Sequence, residues 1–121
     1  MLNLATRTLA AGVVAFASGL AALPAGAQEF INVLTGGTSG VYYPLGVALS
    51  EIYGKGIEDS RTQVQATKAS VENLNLLQQG KGEIAFALGD SVKLAWEGNT
   101  EAGYPGKLDK LRGIAAIYPN Y

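Results

Sequence analysis

The sequence of 121 residues contains no cysteine and no histidine. Without cysteine the chain has no disulfide framework, no thiolate nucleophile and no cysteine-based zinc or iron–sulfur site. Without histidine it has neither a Ser/His/Asp triad nor an imidazole that exchanges protons near neutral pH. Neither sign of charge is in excess, because 9 Lys and Arg stand against 10 Asp and Glu. The composition therefore gives no basic footprint for nucleic acid, and the acidic residues show no metal-binding spacing.

Charge is nearly missing from the first 27 residues, where Arg7 is the only charged side chain. An apolar run, residues 9–23, is followed by Pro24 and an A-x-A ending at Ala27. This order is typical of a secretory signal peptide. At about 1.5 Å per residue the run is too short for a permanent span of a bilayer core of about 30 Å. We therefore predict a cleaved signal peptide over residues 1–27 and a periplasmic location, with a buried core helix as the alternative.

The predicted mature chain, residues 28–121, is long enough for a single domain with a modest core. Segments rich in β-forming residues alternate along it with segments of helical periodicity. The predicted strands are residues 29–34, 61–67, 83–88 and 112–118, and the predicted helices are residues 42–53, 71–79 and 91–96. This alternation favours an α/β fold with a mainly parallel sheet.

Periodicity also predicts which side chains of the helices are buried or act as caps. The apolar residues Leu45, Ala48, Leu49 and Ile52 fall on one face of the first helix, which we expect to pack inward. In the second helix the inward positions are Val71, Leu74 and Leu77. Ser70 is a plausible N-cap of that helix, Asp90 or Ser91 caps the third, and Gly80 ends the second. We expect Trp96 to lie in the core.

Three turns leave a strand and enter a helix: residues 35–42, 67–70 and 88–91. In parallel sheets ligands bind outside the carboxyl ends of the strands, and these turns should meet at that edge. The first turn is the glycine-rich segment TGGTSG, residues 35–40. It lacks the lysine of a phosphate-binding Walker A loop, the spacing of a dinucleotide fingerprint and the second glycine of a nucleophile elbow.

With these motifs excluded, the segment is best interpreted as a pocket in which main-chain N–H groups bind an anion. Glycines let N–H groups approach a ligand closely, and the start of a helix carries partial positive charge. Hydroxyls from Thr35, Thr38 and Ser39 and the rings of Tyr42 and Tyr43 complete one wall. This chemistry suits a carboxylate better than a triphosphate. A tight connection that binds no ligand is the alternative.

Four segments, in order, resemble the signature segments of the TAXI-type solute-binding subunits of TRAP transporters. They are residues 35–46 (TGGTSGVYYPLG), residues 69–74 (ASVENL), residues 84–91 (IAFALGDS) continued by Ala95 and Trp96, and residues 111–116 (LRGIAA) with Tyr118. The resemblance covers essentially all of residues 29–121, and the exported leader agrees with it.

The resemblance implies a periplasmic binding protein of type II-like fold, with two α/β lobes around a cleft. Residues 28–121 would form part of the first lobe, truncated before the second. The protein would capture a small organic anion or amino acid for the TRAP membrane permease, as a monomer, without catalysis, cofactor, metal or nucleic acid. Carried over by position, the ligand-binding residues would be Thr35, Gly36, Gly37, Thr38, Ser39, Tyr42, Tyr43, Ala69, Ser70, Val71, Gly89, Asp90 and Ser91.

Two other classes remain open on the sequence. A small enzyme could use the same loops, with Asp90, Glu72 and the tyrosines as its titratable groups. Alternatively, the chain is an interaction domain, or a fragment, that binds no small ligand.

Overall fold

The computed structural model describes residues 28–119 and has an open sheet of three parallel strands. The strands are β1 (Glu29–Leu34), β2 (Ser60–Gln65) and β3 (Ile84–Ala85), and the helices are α1 (Tyr42–Gly56), α2 (Ser70–Gln78) and α3 (Gly89–Glu97). Strands and helices alternate, so the predicted α/β class with a parallel sheet is confirmed. The predicted signal peptide lies outside the described residues. No helix within residues 28–119 is both long and apolar enough to cross a membrane.

β1 is the central strand, and its carboxyl end is the most buried part of the sheet. It pairs with β2 over all six residues but with β3 over only two, Val33 with Ile84 and Leu34 with Ala85. The predicted strand over residues 83–88 is therefore too long. Pairing stops there because β1 itself ends. The N–H of Phe86 still donates to Leu34 O at 3.1 Å, but the N–H of the next residue, Thr35, donates to Gln65 O at the end of β2.

α1 packs on β1 and β2 through small residues, and the expectation that its apolar face packs inward is wrong. Its buried positions are Gly46 and Ser50. Ile52, which was expected to face inward, is 63% exposed. A Cβ on Gly46 would overlap Thr35 Cγ2, so glycine permits the close approach of helix and sheet. Close contact with β2 also lets α1 run past the predicted end, since Gly54 lies against Thr62.

A second cluster of buried side chains lies between α2, α3 and the segment that follows α3. Its members are Leu74, Ala95, Tyr104, Leu108 and Leu111. The prediction that Trp96 lies in the core is wrong, since it is 44% exposed with the Lys107 ammonium 4.6 Å from its ring centroid. The reason is helical geometry, because the neighbouring Ala95 occupies the buried position of α3.

The predicted fourth strand, residues 112–118, is absent. These residues have irregular backbone and are exposed; Ile114, for example, is 79% exposed. A strand is stabilised by a hydrogen-bonded partner and by burial of alternate side chains. Within residues 28–119 no strand pairs with this segment, and its apolar side chains are not covered in alternation.

The helix caps differ from those predicted, apart from Gly80. α2 begins at Ser70 itself with Ala69 as N-cap, and α3 begins at Gly89 with Leu88 as N-cap, so neither Ser70 nor Asp90 nor Ser91 caps a helix. Gly80 has a φ of 70° and its N–H donates to Leu77 O at 3.0 Å, the left-handed helix end that was predicted.

Candidate functional site

An open cavity of about 310 Å³ lies at the carboxyl edge of the sheet, where the turns after β1 and β2 meet. Five of the predicted ligand-binding residues line it: Gly36, Gly37, Tyr42, Ala69 and Ser70. The lining also includes four residues that were not predicted, Gly40, Val41, Leu88 and Tyr118. The strand order therefore located this edge, and the structure brings parts of all three turns together there.

The other predicted residues lie outside the cavity lining. They are Thr35, Thr38, Ser39, Tyr43, Val71, Gly89, Asp90 and Ser91. Thr38 and Ser39 are exposed on the same glycine-rich turn, and Val71 is 39% exposed on α2. Gly89, Asp90 and Ser91 form the start of α3, where the Asp90 carboxylate accepts a hydrogen bond from the Ser91 N–H at 2.7 Å.

The main chain of the glycine-rich turn is open to a ligand. Within residues 28–119 the N–H groups of Gly36, Gly37, Thr38 and Ser39 have no acceptor, whereas the Gly40 N–H closes the turn on Gly37 O at 2.9 Å. No side chain caps the start of α1. The first amides of a helix have no partner within the helix and carry partial positive charge. Unpaired donors thus accumulate beside the cavity.

Thr35 lies beneath the turn and holds it in place, which corrects its predicted position in the cavity wall. Its side chain is fully buried. Its hydroxyl donates to Gln65 O at 2.7 Å, and its N–H donates to the same oxygen at 3.0 Å. Both bonds bind the end of β1 to the end of β2. Buried polar groups are stable only when paired in this way, so Thr35 stabilises the turn rather than facing a ligand.

Asn73 on α2 joins the ends of all three strands. Its side-chain N–H groups donate to Thr35 O at 2.6 Å and to Phe86 O at 2.8 Å, and its oxygen lies 2.6 Å from the Thr67 hydroxyl. Asn73 is fully buried, and every polar atom of its amide has a partner. The Asn73 amide therefore hydrogen-bonds the carbonyls that follow β1 and β3 and the hydroxyl that follows β2, and it holds the three strand ends together beneath the cavity.

Ser70 connects the second and third turns at the cavity wall. Its hydroxyl accepts a hydrogen bond from the Leu88 N–H at 3.0 Å, and its side chain is largely buried. The preceding Ala69 has a φ of 68°, a backbone conformation that residues other than glycine rarely adopt. Such a conformation costs about 1–3 kcal/mol and persists where the surroundings enforce it, often at functional sites.

Aromatic side chains form the apolar part of the cavity. The ring of Tyr42 stacks on Phe86 with centroids 5.4 Å apart and an interplanar angle of 20°. Burial raises the pKa of the Tyr42 phenol, the nearby Tyr118 and Asp90 raise it further, and a hydrogen bond with Ser70 opposes them. Tyr42 is therefore a neutral hydrogen-bond donor at physiological pH.

The lining of the cavity offers hydrogen-bond donors, hydroxyls and apolar walls, and it contains no charged side chain. Within residues 28–119 no group of three or more acidic residues could hold a metal ion. The combination is suited to holding a small molecule by one polar end while its remaining atoms contact Tyr42, Leu88 and Tyr118.

Asn73 was not singled out in the sequence, although its position carried a detectable signal. Ser70, Asn73, Leu74 and Leu77 follow the i, i+3, i+4, i+7 spacing of one helix face. Two polar residues on a buried face indicate a hydrogen-bonding role rather than a solvated surface. Tyr118 was named in the sequence as the end of a predicted strand and with the fourth family-like segment, and neither feature marked it as a residue of the cavity.

A family model described as the NMT1-like family matches residues 33–121, which include all three turns and the cavity lining. This periplasmic-binding-like family is related to solute-binding proteins and suggests a substrate-binding role, as the broader form of the sequence resemblance implied. The narrower TAXI assignment stays a prediction. The match spans well over half of the chain, and the protein belongs to the NMT1-like family.

Proposed function

We propose that this protein is an extracytoplasmic solute-binding protein of the TRAP transporter type, related to the TAXI family. It captures a small carboxylate or amino acid and delivers it to a membrane permease. It is exported to the periplasm by its amino-terminal signal peptide, acts as a monomer and binds its ligand without chemical turnover.

The observation that carries this proposal is the placement of the cavity. It lies at the carboxyl edge of a parallel sheet, which is where open α/β folds bind ligands. Its walls come from separate turns that Asn73 and Ser70 hold in register. Membership of a family related to solute-binding proteins supports the same reading.

The chemistry of the first turn favours a carboxylate end on the ligand. Unpaired main-chain donors from Gly36 to Ser39 stand beside the uncapped start of α1. Hydrogen bonds from N–H groups to an anion are about twice as strong as those between neutral groups. A carboxylate oxygen can accept several of them at once, while the ligand's other atoms lie against Tyr42 and Leu88.

Gly37→Val tests the proposal without disturbing the fold. A Cβ at this position meets no atom within 4 Å, and Gly37 lines the cavity, so the added side chain adds bulk at the cavity's edge and not in the core. We expect isothermal titration calorimetry to detect a ligand of the wild-type protein in a panel of monocarboxylates, dicarboxylates and amino acids. The variant should lose that binding.

Gly56→Val is the matched control, because its Cβ also meets open space but lies at the far end of α1. It should bind as the wild type does. Equal affinity in Gly37→Val and wild type would contradict the role of the turn. A panel that gives no heat at all with the wild type would contradict solute binding, and conversion of a panel member into product would favour an enzyme.

A further inference from the structure

A second cavity, an apolar groove of about 230 Å³, lies beside the first. We call it the α1 groove; it is lined by Leu45, Ala48, Leu49, Ile52, Phe86 and Ile117. Every member is apolar, and the groove holds the helix face that was expected to pack inward.

The two cavities share one wall. Tyr42 lines the ligand cavity, Phe86 lines the α1 groove, and their rings stack with centroids 5.4 Å apart. A stacked aromatic pair therefore lies between the two spaces.

Two consecutive residues reach opposite sides of this wall. Ile117 lines the α1 groove and Tyr118 lines the ligand cavity. Adjacent side chains of an irregular segment can point in different directions, and here they straddle the stacked pair. The influence of Tyr118 on the pKa of Tyr42 agrees with two phenols that lie near each other.

The segment that carries both side chains has few other attachments. Within the described part of the chain, no main-chain hydrogen bond joins residues 113–119 to the rest of the protein. Ile117 is 60% exposed and Tyr118 is 43% exposed, so each is only partly covered. Contacts of this kind are weak enough to open and re-form.

We propose that residues 112–119 form a strap in which Ile117, seated in the α1 groove, positions Tyr118 as a specificity-determining wall of the ligand cavity. This rests on the proposed solute-binding function. The strap selects a carboxylate with an apolar or aromatic body, because Tyr118 offers that body a ring to pack on. A second charge on the ligand would find no charged partner in the lining.

Binding to the full chain is measured by calorimetry with benzoate, which has an aromatic body, and succinate, which carries a second charge. The wild type should prefer benzoate. Tyr118→Ala should weaken benzoate binding by up to about tenfold, the size of one aromatic contact. Ile117→Ser should weaken it in the same direction. Ile114→Ser is the control, since Ile114 is 79% exposed and lines neither cavity, and it should change nothing.

A second measurement needs no ligand. Nuclear Overhauser contacts between the rings of Tyr42 and Tyr118 should be present in the wild type and lost in Ile117→Ser. Contacts between Tyr42 and Phe86 should survive in that variant, which shows that the fold is intact.

The outcomes separate the two proposals. If neither this pair nor the wider panel binds the wild type, solute binding fails, and the Overhauser contacts still decide whether Ile117 positions Tyr118. If benzoate binds equally to wild type and Tyr118→Ala, or succinate binds more tightly than benzoate, the specificity role is overturned while solute binding stands. Persistence of the Tyr42–Tyr118 contacts in Ile117→Ser overturns the strap.

Discussion

Replacement of Asn73 by alanine should destabilise the protein more than any other single polar truncation near the site. The change removes two donors and one acceptor, at 2.6, 2.8 and 2.6 Å from their partners. Each bond contributes about 1 kcal/mol net, and a buried carbonyl left without a donor costs about 1–3 kcal/mol more. Phe86 O has no other donor among the described residues, while Thr35 O keeps the Thr67 hydroxyl nearby. If the Thr67 hydroxyl then donates to Thr35 O, two bonds are lost net and one carbonyl is left without a donor, so the expected loss is about 3–5 kcal/mol.

A loss of that size is a large part of the ordinary stability of a small domain, about 5–15 kcal/mol. Urea unfolding followed by circular dichroism measures it directly. Asn75→Ala is the matched control, because Asn75 lies on the same helix and also donates twice, to Val71 O and Gly103 O, but near the surface. It should cost less than about 1 kcal/mol. Equal losses in the two variants would refute the reasoning that Asn73 fastens three strand ends.

Three further substitutions test the packing of the fold. Gly46→Ala places a Cβ against Thr35 Cγ2 and should cost about 1–3 kcal/mol in urea unfolding, whereas a neutral result would show that α1 does not need its close approach to the sheet. Gly98→Ala should cost more than about 2 kcal/mol, because φ is 75° and the new Cβ would lie 2.5 Å from Lys107 N; thermal unfolding at an unchanged temperature would contradict this. Tyr104→Phe removes a buried hydroxyl that has no hydrogen-bond partner, and should stabilise the protein by about 1 kcal/mol at neutral pH. Burial raises the pKa of Tyr104 above its ordinary value of about 10, while the nearby Ser91 side chain opposes this rise and Asp90 adds to it. The stability that the neutral phenol contributes is therefore complete below about pH 10 and is lost as pH rises through the folded-state pKa. Stability measured from pH 8 to 11 should therefore fall more steeply in the wild type than in the phenylalanine variant.

The sequence predicts elements well where local and tertiary preferences agree. β1 is rich in β-forming residues and runs into a glycine-rich turn, and its predicted ends match the structure at both residues. The predicted strand over residues 112–118 has a similar composition and fails. Strand formation depends on a partner from elsewhere in the chain, which composition does not report.

The face of α1 shows a second limit. Periodicity assigns burial to the larger apolar residues, but Gly46 and Ser50 form the buried contact because small residues let the helix approach the sheet. Leu45 and Leu49 instead line the α1 groove. Hydrophobicity scales reward side-chain size and give no weight to close backbone approach.

Topology predicted where the cavity lies, and the sequence predicted its lining only in part. The rule that ligands bind at the carboxyl ends of parallel strands pointed to the edge at which the cavity lies. Thr35 was predicted to face a ligand but lies beneath the turn, and Asn73, which holds the site together, was overlooked. Both differences have one cause. Hydroxyl and amide side chains can either contact a ligand or form buried hydrogen bonds within the protein, and the sequence does not show which, because burial depends on tertiary packing.

The central claim is that unpaired main-chain amides of the first turn hold the carboxylate of a small ligand. Titration of the ¹⁵N-labelled protein with the carboxylate panel tests it most directly, because each amide reports on itself. We expect the largest shifts at Gly36, Gly37, Thr38 and Ser39, with the amide of Gly40, already bonded to Gly37 O, shifting less. Shifts spread evenly over the surface, or concentrated away from this turn, would contradict the account.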